Sequence, residues 1–315
     1  MRWKLGRPDI DRYRRRFDVP PRPGPGLSVT FLGVSTLLID DGSVAVMTDG
    51  FFSRYPLRRL LLGRVRPSAA LVDAALARAG VDRLAAVLPV HTHFDHALDA
   101  ALVAGRTGAL LVGGESAANI GRGHGLAEDR IRVVTPGRPD TYGPFTVTHL
   151  VSEHCPPDRF PGPITEPVVP PVRVGAYRCG EAWSILVRHA TGRTALLQGS
   201  AGFVPGRLRG HRADVVYLGV GQLGVQPEAY IRAYWDETVR AVGARRVVLI
   251  HWDDFFRPLD RPLRALPYLG DDLDASMRIL EGLAAADAVP LHFPVVWRRE
   301  DPWHGLPPGG AAPDS

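Results

Sequence analysis

Apolar residues gather in short β-rich runs along the first quarter of the chain. "LSVTFLG", "STLLIDD" and "SVAVMTD" are separated by Gly or Asp-Gly, and "IDDGSV" carries a hairpin turn signal. These runs predict two or three antiparallel strands. Residues 51–67, "FFSRYPLRRLLLGRVRP", read as a loop both apolar and basic. "SAALVDAALARAG" (68–80) predicts a helix with Ser68 as N-cap and Gly80 past its end. "LAAVLPV" (84–90) is a buried strand. A helix near 97–104, a strand near 109–112 and a helix near 115–121 follow. "RIRVV" and "FTVTHLV" are further strands. Residues 155–172 hold too much proline for a regular element. Beyond them "RVGAYRC", "AWSILVRH", "TALLQGS" and "DVVYLGV" predict strands. Then come a helix over 226–242, the strand "RRVVLIHW", a helix over 271–286 and a last strand "VPLHFPVV".

Strands and helices thus intermingle without a repeat of 20–50 residues, which predicts one α/β domain over 27–300. Residues 1–26 are basic and then proline-rich, as in an arm laid on the surface or a flexible leader. Residues 301–315 read as a flexible tail.

Composition changes this picture little. The chain has 315 residues, 45% hydrophobic and 23% charged, ordinary for a globular protein. The net charge is +5, and Lys4 is the only lysine. So many arginines suit an anionic partner, although GC-rich coding explains them as well. The two cysteines, Cys155 and Cys179, form no CxxC pair, which argues against a disulfide framework or zinc knuckle. The N-terminus lacks an apolar signal region, and no apolar run reaches membrane-span length. A cytoplasmic protein is the expectation.

The chemistry concentrates in "HTHFDH", residues 91–96, which holds three of the chain's 11 histidines. On extended backbone, residues i and i+2 share a side. His91 and His93 can therefore present two imidazoles to one point, with Asp95 leaning the same way and His96 facing a neighbouring point. Imidazole and carboxylate are the usual ligands of zinc and similar divalent ions. This spacing predicts a metal site.

The motif resembles the HxHxDH signature of the metallo-β-lactamase-fold hydrolases. "VTFLGVSTLLIDDGSVAVMTDGFF" is similar to that family's opening strands, "SEHCPP" to its next ligand segment and "LIHWDDF" to its last ligand strand. The resemblance covers about residues 27–300 in the right order. It implies a four-layer αββα sandwich with the site at one edge. It also implies a first metal on His91, His93 and His154, and a second on Asp95, His96 and His251. Asp49 would lie beneath the site. Asp95 would also act in catalysis, orienting a metal-bound water that attacks as hydroxide. Zinc is the expected metal, one or two per chain, with manganese or iron as alternatives. The expected reaction is hydrolysis of a small-molecule ester, lactone or phosphodiester, with "TDGFF" closer to the lactonase and phosphodiesterase branch.

One departure stands out. The family places a bridging aspartate after a glycine where this chain reads "QGS", so Ser200 occupies that position. A hydroxyl lacks the charge that balances two cations. Two bridged ions, a single ion on His91, His93 and His154, or a substitute carboxylate such as Asp253 or Glu153 all remain open. Phe51, Phe52, Arg54 and Tyr55 follow Asp49 and are expected to line the substrate pocket, with the proline-rich loop opposite. An anionic small molecule would fit the arginines. Their dispersal argues against nucleic acid, the reading of a metallonuclease of this fold. A mononuclear iron redox enzyme and a non-catalytic metal-binding relative complete the alternatives. An exposed apolar loop allows self-association.

Overall fold

The computed structural model describes residues 4–307. Its first sheet takes β1 (Ser28–Phe31), β2 (Leu37–Asp40), β3 (Ala45–Thr48), β4 (Ala86–Leu88), β5 (Leu110–Gly113) and β6 (Ile131–Val133) in spatial order. The second runs from β7 (Pro139–Tyr142) through β8 (Phe145–Ser152), β9 (Ala182–His189), β10 (Thr194–Gln198), β11 (Val215–Gly219) and β12 (Arg246–Ile250) to β13 (Leu291–His292). A short β14 (Arg299–Glu300) returns to close the first sheet beside β1.

Period-two burial explains how the sheets stack. Leu37 and Ile39 of β2 and Ile185 and Val187 of β9 point into a core shared by both sheets. Their neighbours Leu38 and Leu186 point outward, each into a different outer core. The helices α1 (Leu57–Leu62), α2 (Ala69–Ala79), α3 (Phe94–Ala97), α4 (Ala100–Thr107) and α5 (Glu115–Gly123) lie along the first half of the chain. Val72, Val103 and Ile120 from α2, α4 and α5 cover the first sheet. Ile231 and Trp235 of α6 (Glu228–Trp235), with Met277 and Leu280 of α7 (Leu273–Ala286), cover the second. The result is the αββα sandwich expected from the sequence.

Several expectations are corrected. "RVGAYRC" forms no strand: Val174–Ala176 is a 3-10 turn. Its backbone groups are taken up by loops, with Cys179 N donating to Phe160 O and Thr92 N donating to Cys179 O. Residues 51–67 are not wholly irregular, since α1 lies within them. The last strand shrinks to Leu291–His292, and α6 continues as a π-helical turn, Asp236–Arg240. β7 and β14 were not anticipated.

The two ends also pack. Phe17 stacks on Phe293 at 5.2 Å, and Val19 is buried, so residues 4–26 form a fixed arm. Trp303 is buried and donates its indole N–H to Thr194 O at 3.0 Å. Residues 301–307 are therefore held against the domain instead of forming the loose tail expected for 301–315. Residues 308–315 of that tail, and 1–3 of the arm, lie outside the described residues.

Candidate metal centre

Strand ends build the site. β3 and β4 are parallel. Asp49 follows the first, and the segment 91–96 lies between the second and α4. In the other sheet β8, β10 and β12 run in one direction. His154, Ser200 and His251 stand just past their ends. Both Asp49 and His251 adopt left-handed backbone, φ 54° and 59°. Such strained residues persist when their surroundings over-determine them. Here His251 N donates to Val34 O at 2.6 Å, and Val90 N donates to the Asp49 carboxylate at 2.9 Å.

Six candidate ligands form two groups, His91, His93 and His154 in one and Asp95, His96 and His251 in the other. The ligand atoms within each group lie within 4.8 Å of one another. His91 Nε2 and His93 Nδ1 are 3.1 Å apart, and His96 Nε2 and His251 Nε2 are 3.2 Å apart. The His91 and His96 rings, 3.9 Å between centroids, join the groups.

Outer contacts set which nitrogen is free. The Asp49 carboxylate accepts from His96 Nδ1 at 2.9 Å and from the Ser35 hydroxyl at 2.6 Å. His154 Nδ1 donates to Cys155 O at 2.6 Å. Both imidazoles thus keep the Nε2 lone pair for the centre. Nitrogen lone pairs converging in a buried space repel unless a cation or a proton lies between them. The donor set fits a divalent ion of borderline softness.

Electrostatics point the same way. Burial pushes the His91 pKa well down, and the surrounding imidazoles His96, His154, His93 and His251 add to that. Burial, then His93, lowers His154 to about 4. Both are therefore neutral, the metal-binding form. At His96 burial acts to lower the pKa, but the Asp49 and Asp95 carboxylates outweigh it and raise it. At Asp95 burial acts to raise the pKa, but His96, His251 and His93 outweigh it and hold the group well below the usual carboxylate range.

The Ser200 hydroxyl accepts the Cys155 backbone N–H at 3.0 Å. Neither proposed substitute takes the bridging place: Asp253 is wholly buried against Arg54 at 2.7 Å, and Glu153 is exposed. Asp95 is the carboxylate that these two groups contain.

The residues expected to line the pocket turn inward. Phe51, Phe52, Arg54 and Tyr55 are all buried. Phe51 packs edge-on to Phe94, and Tyr55 donates its hydroxyl to Arg66 O. Asp99 accepts the backbone N–H groups of Phe52 and Ser53 at 2.7 and 2.6 Å, which draws this stretch inward. These residues pack beneath the site.

Two contributors were missed. Ser35 locks the Asp49–His96 pair, yet nothing in "GVSTLL" marks it. Asp158, from the proline-rich loop, places Oδ1 3.1 Å from His93 Nε2, out of line for a hydrogen bond. Asp158, Cys179 and His93 also cluster as a third group of donor atoms. A carboxylate just after the "HCPP" ligand segment was the available signal for Asp158.

Comparisons with known proteins agree with this fold. The model of the metallo-beta-lactamase superfamily matches residues 29–181. A provisionally named metal-dependent hydrolase from Parabacteroides distasonis superposes with a TM-score of 0.53 at 10% identity, covering 88% of this chain and 99% of that one. A possible metal-dependent hydrolase from Veillonella parvula gives 0.52 at 13% identity, with 88% and 99% covered. CmlA, a diiron beta-hydroxylase from Streptomyces venezuelae, gives 0.52 at 13% identity, covering 88% of this chain and 54% of that one. At such identities the likeness is one of fold. No curated protein matches the sequence.

Proposed function

For a chain of the metallo-beta-lactamase superfamily, matched over residues 29–181 and folded as its αββα sandwich, we propose a metal-dependent hydrolase of a small-molecule ester, lactone or phosphodiester. The carrying observation is the pair of converging ligand groups, His91, His93 and His154 beside Asp95, His96 and His251.

A divalent ion held there supplies Lewis acidity, drawing the pKa of water towards neutrality and stabilising negative charge at the reacting centre. The protein does the rest. His91, His93 and His154 offer neutral nitrogens, so this group is the tighter of the two. Asp95 lies 3.5 Å from His251 Nε2 and 3.7 Å from His96 Nε2. Being ionised, it accepts a hydrogen bond from the attacking water, orients it and takes its proton. Asp49 and Ser35 fix the His96 ring, and Cys155 O fixes that of His154. Ser200 supplies no bridging charge, so the second group binds its ion more weakly. Zinc suits the donor set, with manganese and iron as alternatives. A cytoplasmic site of action and an anionic substrate belong to the same reading.

Elemental analysis of untagged protein, beside the His91→Ala variant, tests it. About two equivalents of zinc or manganese, much reduced in the variant, support the two-group site and direct screening to lactones and phosphodiesters. One equivalent restricts the centre to the three histidines, and iron turns the reading to redox chemistry. No metal after reconstitution overturns the enzyme reading.

A further inference from the structure

The short helix α1 buries only Leu60. Leu61 and Leu62 are 66% and 85% exposed, and Leu57 is 48% exposed. An antiparallel bridge ties the segment after this helix to the proline-rich loop: Val65 N donates to Val172 O at 2.7 Å, and Val172 N returns to Val65 O at 3.0 Å. That loop exposes Val169 and Phe160 and carries an open groove of about 500 Å³ between Pro163 and Arg178. Phe160 also lies edge-on to the His93 ring at 6.5 Å. This surface therefore adjoins the metal centre.

Its charge is one-sided. Arg58, Arg59, Arg64 and Arg66 flank the leucines, and Arg159, Arg173 and Arg178 stand on the loop, all exposed. Among the described residues, none of these seven pairs with a carboxylate. Some arginines elsewhere on the surface pair, as Arg106 does with Asp73 and Arg240 with Asp287, while others such as Arg14, Arg207 and Arg209 stand exposed and more scattered. Asp158 and Glu166 are the only acids in the two stretches, 57–66 and 158–178. This surface alone thus carries a positive excess equal to the +5 of the whole chain.

We infer that this face docks the protein on an anionic lipid surface, with Leu57, Leu61 and Leu62 entering the headgroup boundary and the arginines meeting lipid phosphates. The mixture selects the occupant. Nucleic acid would satisfy the arginines and leave the leucines in water. A second copy of this face would set arginines against arginines. An interface with anionic headgroups above hydrocarbon satisfies both sets. No helix of the described chain is long and apolar enough to cross a membrane, so the contact is peripheral. It would open the metal centre towards amphiphilic molecules.

Co-sedimentation of the full chain with phosphatidylcholine vesicles, with and without phosphatidylglycerol, tests the inference. Binding is expected only with the anionic lipid. It should weaken on raising salt and fall about fivefold for each arginine replaced by alanine. Leu61→Asp with Leu62→Asp should abolish it while metal content and thermal melting stay unchanged, because both side chains are exposed. Failure to bind anionic vesicles, or undiminished binding by the double variant, would overturn it. So would a dimer in light scattering that the double variant dissolves, or salt-sensitive binding to duplex DNA without vesicle binding.

Discussion

The Ser200 hydroxyl accepts the backbone N–H of Cys155 at 3.0 Å, so the residue expected at the bridging position pins the segment that carries His154. Ser200→Ala would leave that buried N–H without an acceptor, a loss of about 1–3 kcal/mol. Denaturant titration should show the loss, and metal retention should fall with it as His154 loosens. Ser200→Asp can keep the acceptor and adds the missing charge. More metal should survive dialysis against a chelator. Retention unchanged from the parent would show that position 200 does not face the second group.

Asp49 holds His96 Nδ1, the Ser35 hydroxyl and Val90 N together. Asp49→Ala should weaken metal affinity by about 10–100-fold, measured by competition with a chelating dye. Ser35→Ala should act in the same direction and less strongly. An unchanged affinity in Asp49→Ala would remove the orienting role.

Arg54 and Asp253 form an ion pair at 2.7 Å with neither side chain exposed. Asp253 also accepts Val34 N at 2.8 Å, and Val34 O receives His251 N. Removing one partner strands a buried charge, so Arg54→Met should cost about 3–5 kcal/mol. Because Arg54 is wholly buried against Asp253, KM for any substrate found should hardly move. A large KM effect at full stability would restore Arg54 as a substrate contact.

Asp99 is buried and its pKa is pushed up to about 6, burial outweighing the Ser53 and Phe52 donors. The folded chain therefore keeps a proton that the unfolded chain, near 3.8, has already released. Stability is full below about pH 4 and declines as pH rises towards 6, by about 3 kcal/mol at most. Asp99→Asn keeps an acceptor for the Phe52 and Ser53 amides and should flatten that part of the profile. Urea unfolding at pH 4 and pH 7 gives the comparison.

How much of this was legible in the sequence depends on how far apart the interacting residues lie. The candidate ligands His91 and His93 were legible because extended backbone sets both on one side, whereas Asp95, expected to lean the same way, stands with His96 on α3 and joins His251 in the second group. The strand runs were legible for the same reason, since alternation in β2, β9 and β12 records two buried faces. "RVGAYRC" misled because its β-rich composition says nothing about whether a neighbouring strand is there to pair with it.

The α/β character of the chain and the ligand spacing of residues 91–96 were thus determined by local order in the sequence, and the αββα arrangement was implied by the resemblance. Tertiary structure alone decided the fate of Ser200, which turns on the backbone of a segment 45 residues away. It also decided that Phe51, Phe52, Arg54 and Tyr55 face inward, drawn by Asp99 and Asp253 from other parts of the chain. It brought Asp158 beside His93. The reason is physical: backbone geometry and periodicity are short-ranged, whereas burial and hydrogen-bond partnership are set by where distant segments cross.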